Sequence, residues 1–422
     1  MRNTKAALPL IVIVALLHTS CGDATGPGNQ TNGRITITND VATLAARVTY
    51  YDSAIAVDSV GVGYPSAAVF PSGPVASRTA NLSAASFQLK LKAEVAPPSI
   101  GGQVLQATSV SIVGNLAVVS YNMVGNPYLG GVDVIDISNQ NHPVLVSQAL
   151  FQNTDVSAVT TSGANVYVAE ATGDAGFAYP AVFESMQLQG NQLVLSGNRR
   201  MGLTSFVATS VAASGTKAYA TTGDAGSLFV INPTTFVKTD SVALHDARWV
   251  AVGGGKVVVV QGTPGQISVY NESNMTPVAG SPFSFNGANV AQSKSQAEIV
   301  GGKAFVAAGD SGVRVLSVTT GAIVGSVPRP NPDSLGLSPS VVVTNAVAID
   351  QDLMFISNGE AGVYLAQGSA IFSSTGAETP QTITMRGRLG FANLQSVNHV
   401  AVQNRYLIIA AGLGGLKIVQ VI

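Results

Sequence analysis

The sequence predicts an all-β fold: a seven-bladed β-propeller of four-stranded blades, preceded by a small N-terminal β region. Two observations carry this. A unit of short apolar strands separated by glycine turns recurs about seven times, at intervals of roughly 40 to 52 residues, the period of a propeller blade. Charged residues make up only 10% of the 422-residue chain while Gly contributes 45, a balance that suits turn-rich β structure rather than helices, whose surfaces carry more Lys and Glu. With 46% hydrophobic residues the chain has ample material for a core. The net charge of -1 gives no field that would attract nucleic acid, so nucleic acid is excluded as an expected partner.

The first element, residues 1–20, has the form of a signal peptide. Arg2 and Lys5 make a basic start, Ala6 to Leu17 form an apolar run broken only by Pro9, and Thr19 and Ser20 follow. A run of about twelve residues is too short to span a bilayer as a helix. Cys21 comes next and is the only cysteine. Its position resembles that of the lipidated cysteine of bacterial lipoproteins, although His18 stands where their lipobox carries an aliphatic residue. The resemblance implies a membrane anchor through Cys21. An ordinary secretory peptide, cut nearby and leaving Cys21 as a free thiol, is the alternative. Either reading exports the chain, and the first places it in the cell envelope, at the outer membrane or cell surface.

Residues 21–33 are small, polar and interrupted by Gly22, Gly26, Pro27, Gly28 and Gly33, the composition of a flexible tether. Residues 34–95 do not fit the repeat. Ile35–Thr38, Arg47–Tyr51, Ile55–Val57 and Phe87–Leu91 read as strands, with Pro65, Pro71, Gly73 and Pro74 between them. A small β-sandwich-like domain and an N-terminal cap are both open.

Residues 96–422 carry the propeller. In the first unit Val110–Val113 leads through Gly114-Asn115 into Leu116–Ser120, then through Gly130-Gly131 into Val132–Ile137, and Pro143–Val146 closes it. Later units repeat the second and third strands around Gly223-Asp224-Ala225-Gly226 and Gly309-Asp310-Ser311-Gly312; others begin near Val159, Val250 and Val347, and the last runs from His399. A blade cannot bury both faces alone but does so between two neighbours, which favours a closed ring. The last unit ends after its third strand, so Phe87–Leu91 or Gln103–Leu105 is expected to supply the fourth.

These units resemble LVIVD repeats, the propeller repeats of exported bacterial and archaeal proteins. Val134-Ile135-Asp136-Ile137-Ser138-Asn139 followed by Pro143-Val144 matches most closely, whereas Val315–Val318 and Ile418–Val421 lack the aspartate. The resemblance implies an envelope scaffold and brings no catalytic motif.

The glycine turns join second to third strands and therefore share one rim. Asp174, Asp224, Asp310 and Glu360 would lie on that rim, either as part of a cation or sugar site or, more simply, as residues capping their own turns. His245-Asp246-Ala247-Arg248-Trp249 is the one cluster mixing imidazole, carboxylate, guanidinium and indole. It reads as a binding patch with Trp249 as a stacking surface, or as a salt-bridged loop beside a buried aromatic. His399 joins the same candidate rim. Gly253-Gly254-Gly255-Lys256 and Gly301-Gly302-Lys303 lack the spacing of a phosphate loop, and no cofactor or metal is expected. The leading functional reading is a non-enzymatic envelope lipoprotein whose propeller binds a protein or a glycan. The rival is a propeller hydrolase or lyase with its site at the channel mouth, assembled from several blades.

Overall fold

The computed structural model describes residues 26–55, 57–58, 88–391 and 395–422; the signal peptide and Cys21 lie outside them. The fold is all-β, with seven blades arranged in a ring. Blade 1 comprises Gln106–Val113, Leu116–Asn122, Leu129–Asp136 and Val144–Gln152. Blades 2 to 6 follow with first strands Thr154–Ser162, Ser210–Ser214, Ala247–Gly253, Ala297–Val300 and Ala346–Asp350, each the start of a four-stranded antiparallel sheet. Blade 7 takes His399–Gln403, Tyr406–Ala410 and Leu416–Val421 from the end of the chain and its fourth strand, Leu89–Val95, from before blade 1.

The first strands of successive blades touch all the way round, blade 7 against blade 1 included. They line the central channel. Outward from them, runs such as Val257–Val260 have no exposed surface, because a second strand is covered on both sheet faces by its neighbours. Of the two segments expected to close the ring, Gln103–Val104 pairs only with Ser99–Ile100, and Leu89–Val95 does the closing. The ring thus begins at Leu89 rather than at residue 96.

The glycine turns now acquire a structural reason. Gly223, Gly309, Gly359 and Gly412 each bridge by backbone to the residue entering the next blade: Ala247, Thr344, Val397 and Ala107. Three residues further on, Gly312, Gly362 and Gly415 have φ of +76°, +91° and +68°. A Cβ on them would lie 2.1, 2.0 and 2.2 Å from the carbonyl oxygens of Val327, Leu389 and Val95 in the closing strands. Only glycine permits that approach. Side chains add a second set of links between blades. Ser109, Ser210, Gln296 and His399 accept the N–H groups of Val159, Val250, Val347 and Val110 in the following blade, at 2.8 to 3.4 Å.

The described residues of 26–58 pack against the propeller. Ile35–Thr38 pairs with the outer strand of blade 1, and Gln30–Thr31, inside the expected tether, pairs with it in turn. A five-residue helix, Val41–Ala45, capped by Asp40, sets Leu44 into the core between blades 7 and 1. Arg47 bonds both oxygens of the buried Asp133 (3.0 and 2.7 Å). Val48–Ile55 then pairs with Leu89–Val95, and Asp58 bridges to Arg388 of blade 6. The segment therefore works as a clasp across the blades that meet at the closure. Among the described residues no helix is long and apolar enough to cross a membrane.

Candidate functional site

In each blade the turn between second and third strands lies on the same rim as the linker to the next blade. On that rim, over blades 2 to 5, the channel opens into a cavity of about 540 Å³. Its lining draws on the linkers and turns, including Val207, Asp224, His245, Asp246, Arg248 and Lys294.

Arg248 organises one wall. Its guanidinium bonds both oxygens of Asp246 (3.0 and 2.5 Å) and the carbonyl of Val290 (2.8 Å). Gly262 provides the seat: a Cβ there would lie 2.0 Å from the guanidinium. Asp246 holds φ at +47°, which aspartate tolerates better than most residues. At the lip His245 Nδ1 lies 3.2 Å from Asp224, and both side chains are largely exposed, so this pair is weakly held.

Lys294, on the linker entering blade 5, reaches across the mouth and donates to the carbonyl of Ser157 in blade 2 (3.0 Å). No carboxylate lies within ion-pair distance of it among the described residues. Burial pushes its ammonium down to about 8, because removing water disfavours the charged form.

Trp249 and His399 follow inward from this wall and are not among the residues that line the cavity. They stand on first strands of blades 4 and 7, which are not neighbours, yet their rings stack with centroids 5.4 Å apart. The contact therefore crosses the axis of the ring, and the cavity at the mouth forms a cup. Trp249 is 8% and His399 5% exposed. Burial, and after it the charge on Lys294, lowers His399 to about 3, so its ring is neutral. Nδ1 accepts from Val110, and Nε2 is buried without a partner.

Of the candidate rim residues, Asp224, His245, Asp246 and Arg248 come together in the cup. Trp249 and His399 lie below the rim rather than on it. The cluster at 245–249 has the geometry of a salt-bridged loop beside a buried aromatic. The other acidic turn residues stay apart. Asp174 caps Gly176 and pairs with Arg200 at 2.8 Å; Asp310 bonds the backbone and side chain of Asn289; Glu360 sits partly buried on blade 6. Asp224 likewise caps its own turn at Ala225. Among the described residues no three His, Cys, Asp or Glu side chains gather to hold a metal ion.

Sequence reasoning missed Lys294 and Ser157, which belong to no motif, and a buried charged group behind Asp174. There Glu170 and Glu184, both fully buried, meet Arg200, while Arg34 of the clasp bonds both oxygens of Glu184 at 2.6 and 2.7 Å. Burial first, and Glu184 second, hold the Glu170 carboxyl well above its usual range. Also missed were apolar side chains exposed on the cup's rim: Phe206 (78%), Val124 (75%), Tyr179 and Leu413.

No protein-family model matches the chain, and no curated protein matches it. Among solved structures it is similar to a chain of the hydrazine synthase of Kuenenia stuttgartiensis, with TM-score 0.54 and 13% identity over 76% of this chain and 98% of that one. It is similar to a chain of a mitotic checkpoint complex, with TM-score 0.52 and 12% identity over 83% and 98%. BamB from Moraxella catarrhalis aligns over 88% and 99%, with TM-score 0.48 and 11% identity. At such identities the first two likenesses show the propeller fold alone.

Proposed function

We propose that this chain is a non-enzymatic envelope lipoprotein, anchored through Cys21, whose propeller offers the glycine-turn rim to a protein or glycan partner. The observation that carries the reading is a concave polar cup sharing one rim with Phe206, Tyr179, Val124 and Leu413. Exposed aromatics beside a concave polar site are what a recognition surface needs. Catalysis is less well supported, since Asp246 is committed to Arg248 and Lys294, among the described residues, is hydrogen-bonded to a backbone carbonyl.

The path of the N-terminal segment favours the same orientation. Gly26 lies against Gln192, in the turn between third and fourth strands of blade 2, hence on the opposite rim. An extended chain from Cys21 to Gly26 reaches at most about 17 Å. A lipid on Cys21 would hold that rim toward the membrane and the cup away from it. The resemblance to LVIVD repeats supports an envelope setting.

Two measurements test this. Metabolic labelling with palmitate should mark the wild-type protein and leave Cys21→Ser unlabelled. A photo-crosslinking residue at Phe206 should trap a partner in intact envelopes, whereas one at Gly190 on the far rim should not. Equal trapping from both positions would count against rim recognition.

A further inference from the structure

We propose that the cup seats the carboxylate of an acidic sugar on Lys294, an inference that rests on the rim-binding reading and names its ligand. Arg248 in the same cup is paired with Asp246, and Asp224 meets His245 at the lip. Among the described residues Lys294 has only the Ser157 carbonyl, so its ammonium keeps N–H groups and a charge that no described carboxylate within ion-pair distance balances. A cation withdrawn from water without a partner is costly, and an anionic ligand relieves that cost.

A carboxylate matches one ammonium, whereas a dianionic phosphate would add charge beside Asp246 and Asp224. The remaining lining, Thr209, Thr263, Gln292 and Ser293, is hydroxyl and amide, suited to sugar hydroxyls. Phe206 borders Val207 at the lip, where an apolar face can cover a sugar ring, and about 540 Å³ is within the size of small-ligand sites.

Trp249 is the only tryptophan and adjoins Arg248 of the cup wall, so its emission serves as the readout. The mature chain would be titrated with D-glucuronate, D-glucose, acetate and an aspartate-containing tripeptide, with calorimetry as a second readout. Saturable binding of glucuronate is expected, with glucose at least about tenfold weaker, since a hydrogen-bonded ion pair is lost. Lys294→Gln should weaken glucuronate binding by about tenfold or more, and Lys294→Arg should restore part of it, with circular dichroism unchanged. Equal binding of glucose and glucuronate, or full affinity in Lys294→Gln, would overturn the carboxylate seat. Acetate or the tripeptide binding as tightly as glucuronate would overturn the sugar. If a neutral glycan binds and Phe206→Ser abolishes that binding while Lys294→Gln does not, the inference fails and the rim reading stands. If neither variant affects the capture of any partner, both fail.

Discussion

Glu298 shows how one buried group shapes the stability of the ring. It stands on the first strand of blade 5 and accepts the N–H of Ile349 in blade 6 at 2.9 Å. Burial pushes its carboxyl up to about 7 from 4.5. Between those values the folded state binds more protons than the unfolded one, so this group's contribution falls as pH rises through the window and stays low above it. Glu298→Gln keeps an acceptor for Ile349 and removes the titration. The difference in thermal midpoint between variant and wild type should be near zero below pH 4.5 and grow to a plateau above pH 7, equivalent to on the order of 1–3 kcal/mol. Taking the difference matters because His399, lowered to about 3, contributes in the opposite sense between about 3 and 6.5. A difference independent of pH would show that Glu298 does not titrate in this range. Residues of this kind are poorly legible in sequence. The turn glycines could be read because their backbone role repeats in every blade; Glu298 and Lys294 occur once, and only the closed ring decides what surrounds them.

At the scale of elements, the strands were legible and their partners were not. Ile35-Thr36-Ile37-Thr38 alternates as a strand should, but its partner, Val144–Gln152, lies more than a hundred residues away, and no local signal encodes that pairing. The same holds for Leu89–Val95 against Leu416–Val421. The clasp they belong to has a measurable role. Arg34 is the cation nearest Glu184, and without it the buried carboxylates keep only Arg200, 3.4 Å from Glu184, among the described residues. Arg34→Gln should therefore lower stability by about 3 kcal/mol, read from chemical denaturation. A chain starting at residue 46 should go further and self-associate in sedimentation, because Ile35–Thr38 no longer covers the outer edge of blade 1. If that shortened chain remains monomeric with the wild-type denaturation midpoint, the clasp is dispensable.

At the scale of the whole molecule, the cup exists only because the ring closes. The Trp249–His399 stack joins blades 4 and 7, the Lys294 strut joins the entrance of blade 5 to blade 2, and blade 7 is completed by a strand from the other end of the propeller. Repeats related mainly to their neighbours could unfold piecemeal if the ring were open. A contact across the axis couples blades that share no edge. Trp249 therefore reports on closure as well as on the cup. In the intact protein, the thermal transitions followed by Trp249 emission and by far-ultraviolet circular dichroism should coincide. In a chain beginning at residue 96, blade 7 loses its fourth strand and His399 its firm seat. Trp249 emission should then shift to the red at temperatures where most of the strand signal persists, and binding at the cup should be lost with it. Coincident transitions in the shortened chain would mean that three strands suffice to hold blade 7 in place, and that the contact across the axis, rather than the borrowed strand, keeps the ring shut.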